Sequence, residues 1–219
     1  MVLASKIFLI AEENDPANII AKLKVLKRER EEDGFKLLDS IENITEEGGI
    51  IKATYFQDYL IPIKHHGQVI PQPATSEVPV VFYSYKRRTF LIVLEKKSRA
   101  NRIANMLSKE LFIEMGKIVE PGIDAETLRS FAEKGNGKVI FFDNVDIPDI
   151  NKLSLYGESL KDTSLYNEYL KHGKPWYIVF SSGELAVGLT RNCVVTMFSK
   201  ATRAQFLEYI LDSIIPLID

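Results

Sequence analysis

Three short apolar runs constrain this chain most. Phe90-Leu91-Ile92-Val93-Leu94, Val139-Ile140-Phe141-Phe142 and Trp176-Tyr177-Ile178-Val179-Phe180 have the length and the β-branched and aromatic content of strands, yet none alternates apolar with polar. A strand with one wet face alternates. These three are therefore expected to be covered on both faces, by helices or by a partner, leaving room for an apolar sheet face that takes a second subunit. The chain has 219 residues, 46% of them hydrophobic, which is enough to build a sizeable core. Its 28 basic and 30 acidic side chains nearly cancel. That balance excludes intrinsic disorder and excludes coating of DNA by net charge.

Capping and turn residues divide the rest. Lys6–Ala11 reads as a buried strand bounded by Glu12-Glu13-Asn14. Asp15 and Pro16 open a helix whose apolar face is Ile19, Ile20, Leu23 and Leu26, and which is expected to end at Glu31-Glu32-Asp33-Gly34. Strands are expected over Phe35–Thr45 and Ile50–Phe56, joined at Glu46-Glu47-Gly48-Gly49, with the second able to reach Ile63. Gly67–Pro79 reads as a mobile loop on its Gly, Pro and Gln content. Val80–Tyr85 and Thr89–Leu94 flank a hairpin tip at Lys86-Arg87-Arg88, and Ser98 is expected to cap a helix carrying Ile103, Met106, Leu107 and Leu111. Further on, Asp124–Lys134 reads as a helix stopped by Gly135-Asn136-Gly137 through positive φ. Lys138–Phe142 reads as a strand, Asp143–Thr163 as irregular and Ser164–His172 as a helix closed by Gly173. Trp176–Phe180, Leu185–Leu189 and Cys193–Phe198 continue a sheet, Ser181-Ser182-Gly183 makes a turn, and Thr202 caps a last helix with Phe206, Leu207, Ile210, Leu211 and Ile214 on one face.

The expected fold is α+β, a largely antiparallel sheet in two related halves packed with helices, residues 1–118 and 119–219, with Pro121-Gly122 near the boundary. Residues 87–111 align with 191–215 without gaps, at five identical pairs in 25, which suggests a shortened repeat. The alternative is a mixed α/β sheet in which Lys138–Phe142 and Trp176–Phe180 are parallel partners joined through a helix. The order strand, helix, about four strands, helix in the first half is similar to one repeat of the TATA-binding-protein saddle. This similarity is one of element order and implies no residue roles.

Motifs for chemistry are sparse. Gly135-Asn136-Gly137-Lys138 precedes a strand, whereas phosphate loops follow one and open a helix. Asp143, Asp146 and Asp149 follow a strand and offer the hard oxygens Mg²⁺ prefers, so a metal-assisted hydrolase is an alternative reading. His65-His66 point apart in an extended chain, and His172 suits a helix C-terminus. The one cysteine, Cys193, reads as a buried, inert thiol in an apolar strand, and Ser181 and Ser182 lack a nucleophile elbow. No cofactor, no metal and no catalytic group is expected. No membrane span or secretory leader is evident, and Gln is scarce among many Ile, Lys and Glu, so a cytoplasmic protein of thermophile-like composition is expected.

The densest charge is Lys86, Arg87, Arg88, Lys96, Lys97, Arg99 and Arg102, with Tyr83 and Tyr85 just before them. Basic and aromatic groups together bind phosphates and stack bases. A strand separates Arg88 from Lys96 by about 25 Å at about 3.3 Å per residue, so these residues are expected to form two patches. The function expected is a non-catalytic cytosolic binding protein acting on nucleic acid or in a nucleic-acid-associated complex. A protein–protein adaptor or homodimeric scaffold is the alternative, supported by the apolar Ile214-Ile215-Pro216-Leu217-Ile218 terminus.

Overall fold

The computed structural model describes residues 2–11, 15–112 and 116–218. The expected boundary at Glu12-Glu13-Asn14 lies outside the described residues. The fold is α+β with a mostly antiparallel sheet; among the described residues there are twelve strands and five α-helices. The chain divides into two compact units, Phe8–Val119 and Met1–Ile7 with Glu120–Asp219.

In the Phe8–Val119 unit, β1 (Leu3–Ile10) supplies its last residues and leads to α1 (Pro16–Val25). Asp15 accepts a hydrogen bond from the Ala17 N–H and Pro16 occupies the first turn, so the helix starts where capping demands. It stops earlier than expected. Lys27–Glu32 is not helix but strand β2, turned back at Asp33-Gly34 against β3 (Phe35–Glu47). Strand β4 (Ile50–His65), β5 (Gln68–Tyr85) and β6 (Arg88–Val93) complete a meander, followed by α2 (Lys97–Phe112) and the short β7 (Ile118–Val119), which pairs with Leu9 and Ile10. Each hairpin turns on two residues with positive φ: Asp33-Gly34, Gly48-Gly49, His66-Gly67 and Lys86-Arg87. Such turns match the twist of the flanking strands.

Two further expectations fail here for physical reasons. Gly67–Pro79 is not a loop; residues 68–79 pair position by position with 54–65. Beyond the reach of β3 and β6 the hairpin is a two-stranded arm with open outer edges, where proline removes no ladder hydrogen bond, so Pro62, Pro71 and Pro73 are tolerated. Ser98 is not the cap of α2, which begins at Lys97 with the Lys96 carbonyl accepting from the Ala100 N–H. The core forms between the helices and one sheet face: Leu23 of α1 and Leu107 and Leu111 of α2 pack with Val80, Leu91 and Val93. Phe90, Leu91, Ile92 and Val93 are all buried, as their lack of alternation predicts.

The second unit contains α3 (Ala125–Lys134), β8 (Asn136–Asp143), β9 (Leu153–Tyr156), α4 (Ser164–His172), β10 (Lys174–Ser182), β11 (Leu185–Thr190), β12 (Val194–Met197) and α5 (Arg203–Tyr209). Its strand order is β1-β12-β11-β10-β8-β9. Strands β8 and β10 are antiparallel neighbours, with Val139 opposite Val179, which excludes the parallel alternative. They also alternate in burial: Ile140, Phe142, Ile178 and Phe180 face the core while Phe141 and Tyr177 do not. Asp124 and Thr163 cap α3 and α4, and Thr202 caps α5 in a reciprocal box with Gln205. Helix α5 has seven residues before a π-turn over Ile210–Ile214, whereas α2 has 16, so the aligned segments 87–111 and 191–215 share only a strand-then-helix order.

Gly135 ends α3 without positive φ; its φ of −83° suits any residue. Close approach requires the glycine instead. A Cβ there would stand 2.8 Å from the Phe180 ring and 2.9 Å from the Ser181 carbonyl oxygen. Gly135→Ala is expected to destabilise the protein by about 1–3 kcal/mol through overpacking, measured by urea denaturation.

Candidate anion-binding cleft

The cleft is built where helices leave one sheet face of the Phe8–Val119 unit uncovered. Strand β2 is an edge strand made of Lys27-Arg28-Glu29-Arg30-Glu31-Glu32, and its register sets Arg28 opposite Asp39 and Arg30 opposite Leu37. Period-2 alternation therefore puts Arg28 and Arg30 on the core-side face and Lys27 and Glu29 on the other. On β4 the same face carries Tyr55, Gln57 and Tyr59. Two turns of α2 face them with Arg99, Arg102, Ile103 and Met106. Together these groups enclose a cleft of about 660 Å³, within the range of ligand sites.

Its polar wall is ordered by one carboxylate. Asp39, 4% exposed, accepts from Arg30 Nη1 at 2.6 Å and from the Tyr55 hydroxyl at 3.0 Å. Burial, and then the negative charge of Asp39, push the Tyr55 phenol well above its ordinary pKa, so it stays a donor. Arg30 Nη2 also donates to the Asp58 carbonyl. Arg99 pairs with Glu95 at 3.3 Å and donates to Ser76 Oγ. Two of the four arginines are thus committed internally. Arg28 and Arg102 are exposed and have no ion-pair partner among the described residues. The cleft carries four guanidinium groups, and two are free to hold an anion by paired N–H donors.

The structure separates the residues singled out by charge density. Arg99 and Arg102 reach the cleft. Tyr83, Tyr85 and Arg88 lie on the opposite sheet face, the tyrosines stacked at 6.2 Å and Arg88 5.3 Å above Phe90. Lys86 and Arg87 form the β5–β6 turn, with Lys86 Nζ 5.2 Å above Tyr85. Lys96 and Lys97 are exposed at the start of α2. Sequence reasoning missed Arg28, Arg30, Asp39, Tyr55 and Tyr59. The usable signal was Asp33-Gly34, a two-residue hairpin turn that makes the charged run before it a strand.

The other candidates disperse. Asp143 pairs with Arg191, Asp146 Oδ1 accepts from His172 Nδ1 at 2.8 Å, and Asp149 sits in a turn with φ 63°. No group of three His, Cys, Asp or Glu side chains among the described residues is placed to hold a metal ion. Cys193 lies in the turn before β12 rather than in a strand; it is fully buried, and burial pushes its thiol up to about 12. In the second unit a bulge between Pro175 and Tyr177 brings Trp176 and Tyr177 together around Phe141, with ring centroids 5.8 and 5.3 Å from it, and Tyr156 beside it is 67% exposed. Compared with protein-family models and with curated proteins, the chain matches none. No helix among the described residues is long and apolar enough to cross a membrane.

Asp58 clamps the base of the arm to its neighbour. Its Oδ1 accepts from Thr75 Oγ1 at 2.6 Å and its Oδ2 from the Leu38 N–H at 2.9 Å. The Thr75 bond, then the Leu38 bond, hold its pKa below the ordinary carboxylate value. A depressed folded-state pKa contributes stability that is complete above the unfolded pKa and is lost as pH falls through the folded one. Thermal melts across the acid range are expected to show that loss in wild type and a shallower pH dependence in Asp58→Asn.

Proposed function

We propose that this is a non-catalytic binding protein that holds nucleic acid by its phosphates, using the arginine cleft of the Phe8–Val119 unit. The observation that carries the reading is the pair Arg28 and Arg102, without an ion-pair partner among the described residues and lining one cavity beside two arginines already fixed by acids. A surface built for solubility pairs or spreads its charges. Here β2 and α2 deliver them to one concavity in a chain of net charge −2. Phosphates bound by arginine release counterions, so affinity falls with salt. Polarisation titrations with a labelled oligonucleotide are expected to show salt-sensitive binding. Arg28→Ala with Arg102→Ala is expected to weaken it about tenfold or more and to reduce the log–log salt slope by about 1.4, at about 0.7 per phosphate contact. Wild type and variant alike in a salt-insensitive titration overturn the reading.

A second reading is a homodimeric scaffold that meets its copy through the aromatic surface of the second unit. Phe141, Trp176, Tyr177 and the exposed Tyr156 favour it, because aromatic residues are enriched at interface centres. Sedimentation at micromolar concentration is expected to show a dimer that Tyr156→Glu dissociates; a monomeric wild type excludes this reading.

A further inference from the structure

The β4–β5 arm has one face that continues the cleft. Tyr55, Gln57, Tyr59, Ile61 and Ile63 alternate along β4, so they share a side, and the register sets Ala74 opposite Tyr59 and Ile70 opposite Ile63 on that same side. The first three belong to the cleft wall. From Tyr59 the row runs outward to Ile63 for about 13 Å, at about 3.3 Å per residue. The apolar groups on this side are exposed: Tyr59 42%, Ile61 36%, Ile63 44% and Ile70 38%. The arm itself is nearly uncharged, with Asp58 already bonded at its base and Lys64 near its tip. A lane of apolar groups thus opens directly from a cavity that holds two free guanidinium groups.

We infer that the ligand is a single strand of nucleic acid, its phosphates held by Arg28 and Arg102 and its unstacked bases laid along Tyr59, Ile61, Ile63 and Ile70. The inference rests on the cleft reading and adds the state of the strand. A duplex keeps its base faces stacked and presents phosphates and groove edges, so only an unpaired strand offers flat base faces to an apolar lane. A single strand offers both chemistries at once: anionic phosphates for the arginines and flat apolar faces for Tyr59 and the isoleucines, a combination typical of sequence-tolerant single-strand sites. Tyr59 joins the two regions, because it lines the cleft and begins the arm.

The test uses fluorescein-labelled oligo(dT) of about 12 nucleotides, within known single-strand site sizes, and the same strand annealed to oligo(dA). Wild type is expected to bind the single strand at least about tenfold tighter than the duplex. Tyr59→Ala is expected to weaken single-strand binding by about tenfold, the loss of one stacked base. Ile61→Ser with Ile63→Ser, both exposed, is expected to weaken it too while leaving the weak duplex binding and the circular dichroism unchanged. If the duplex binds as tightly, or if both arm variants match wild type while Arg28→Ala with Arg102→Ala loses binding, the single-strand inference falls and the cleft reading stands. If neither oligonucleotide binds with salt sensitivity, both fall.

Discussion

The cleft depends on the buried carboxylate of Asp39. A charge 4% exposed is tolerated only when paired and hydrogen-bonded. Asp39 therefore draws in Arg30 from β2 and the Tyr55 hydroxyl from β4. Arg30 reaches on to the Asp58 carbonyl, and Asp58 in turn bonds Leu38 on β3 and Thr75 on β5. Two carboxylates, Asp39 and Asp58, bridged by Arg30, so tie four strands together at the point where the arm leaves the sheet. Asp39 also holds an edge strand made wholly of charged residues against the body, a strand with no apolar side chain to hold it there.

This network separates two kinds of arginine. Arg30 and Arg99 are structural cations, each satisfied by an acid and an oxygen of its own unit. Arg28 and Arg102 stand beside them without such acids among the described residues. The distinction matters more than net charge. Screening confines exposed charges to about 8 Å at physiological ionic strength, so a ligand in the cleft responds to its walls and not to the chain's −2. Counting basic residues along the sequence marks the 86–102 segment, but strand pairing divides that segment between two sheet faces and a turn.

Features governed by neighbouring residues were legible. The caps at Asp15 and Thr202 and the turn at Gly48-Gly49 form where their residue types require, and the β5–β6 hairpin turns at the expected Lys86-Arg87. Phe90–Val93, without alternation, is buried on both faces. Features governed by distant partners were not. Lys27–Glu32 contains no apolar residue, so it has no hydrophobic period and looks like the end of a helix. The prolines of 68–79 look like loop until 54–65 lies opposite them. Phe141 and Tyr177 look buried because the run alone does not show which face a helix covers. Of the cleft, only Arg99 and Arg102 were visible: Arg28 and Arg30 stand on the strand mistaken for helix, and Asp39, Tyr55 and Tyr59 join them only through strand pairing.

By itself the sequence determined the starts of α1 and α5, the turns at Gly48-Gly49 and near Lys86-Arg87, and a mostly antiparallel α+β body, because capping, glycine turns and apolar runs act over a few residues. Only the tertiary structure decided that Arg28, Asp39, Tyr55, Tyr59 and Arg102 share one cavity. Strand register sets that, and register is a long-range choice: shifting β2 by one residue against β3 would turn both its arginines to the opposite face.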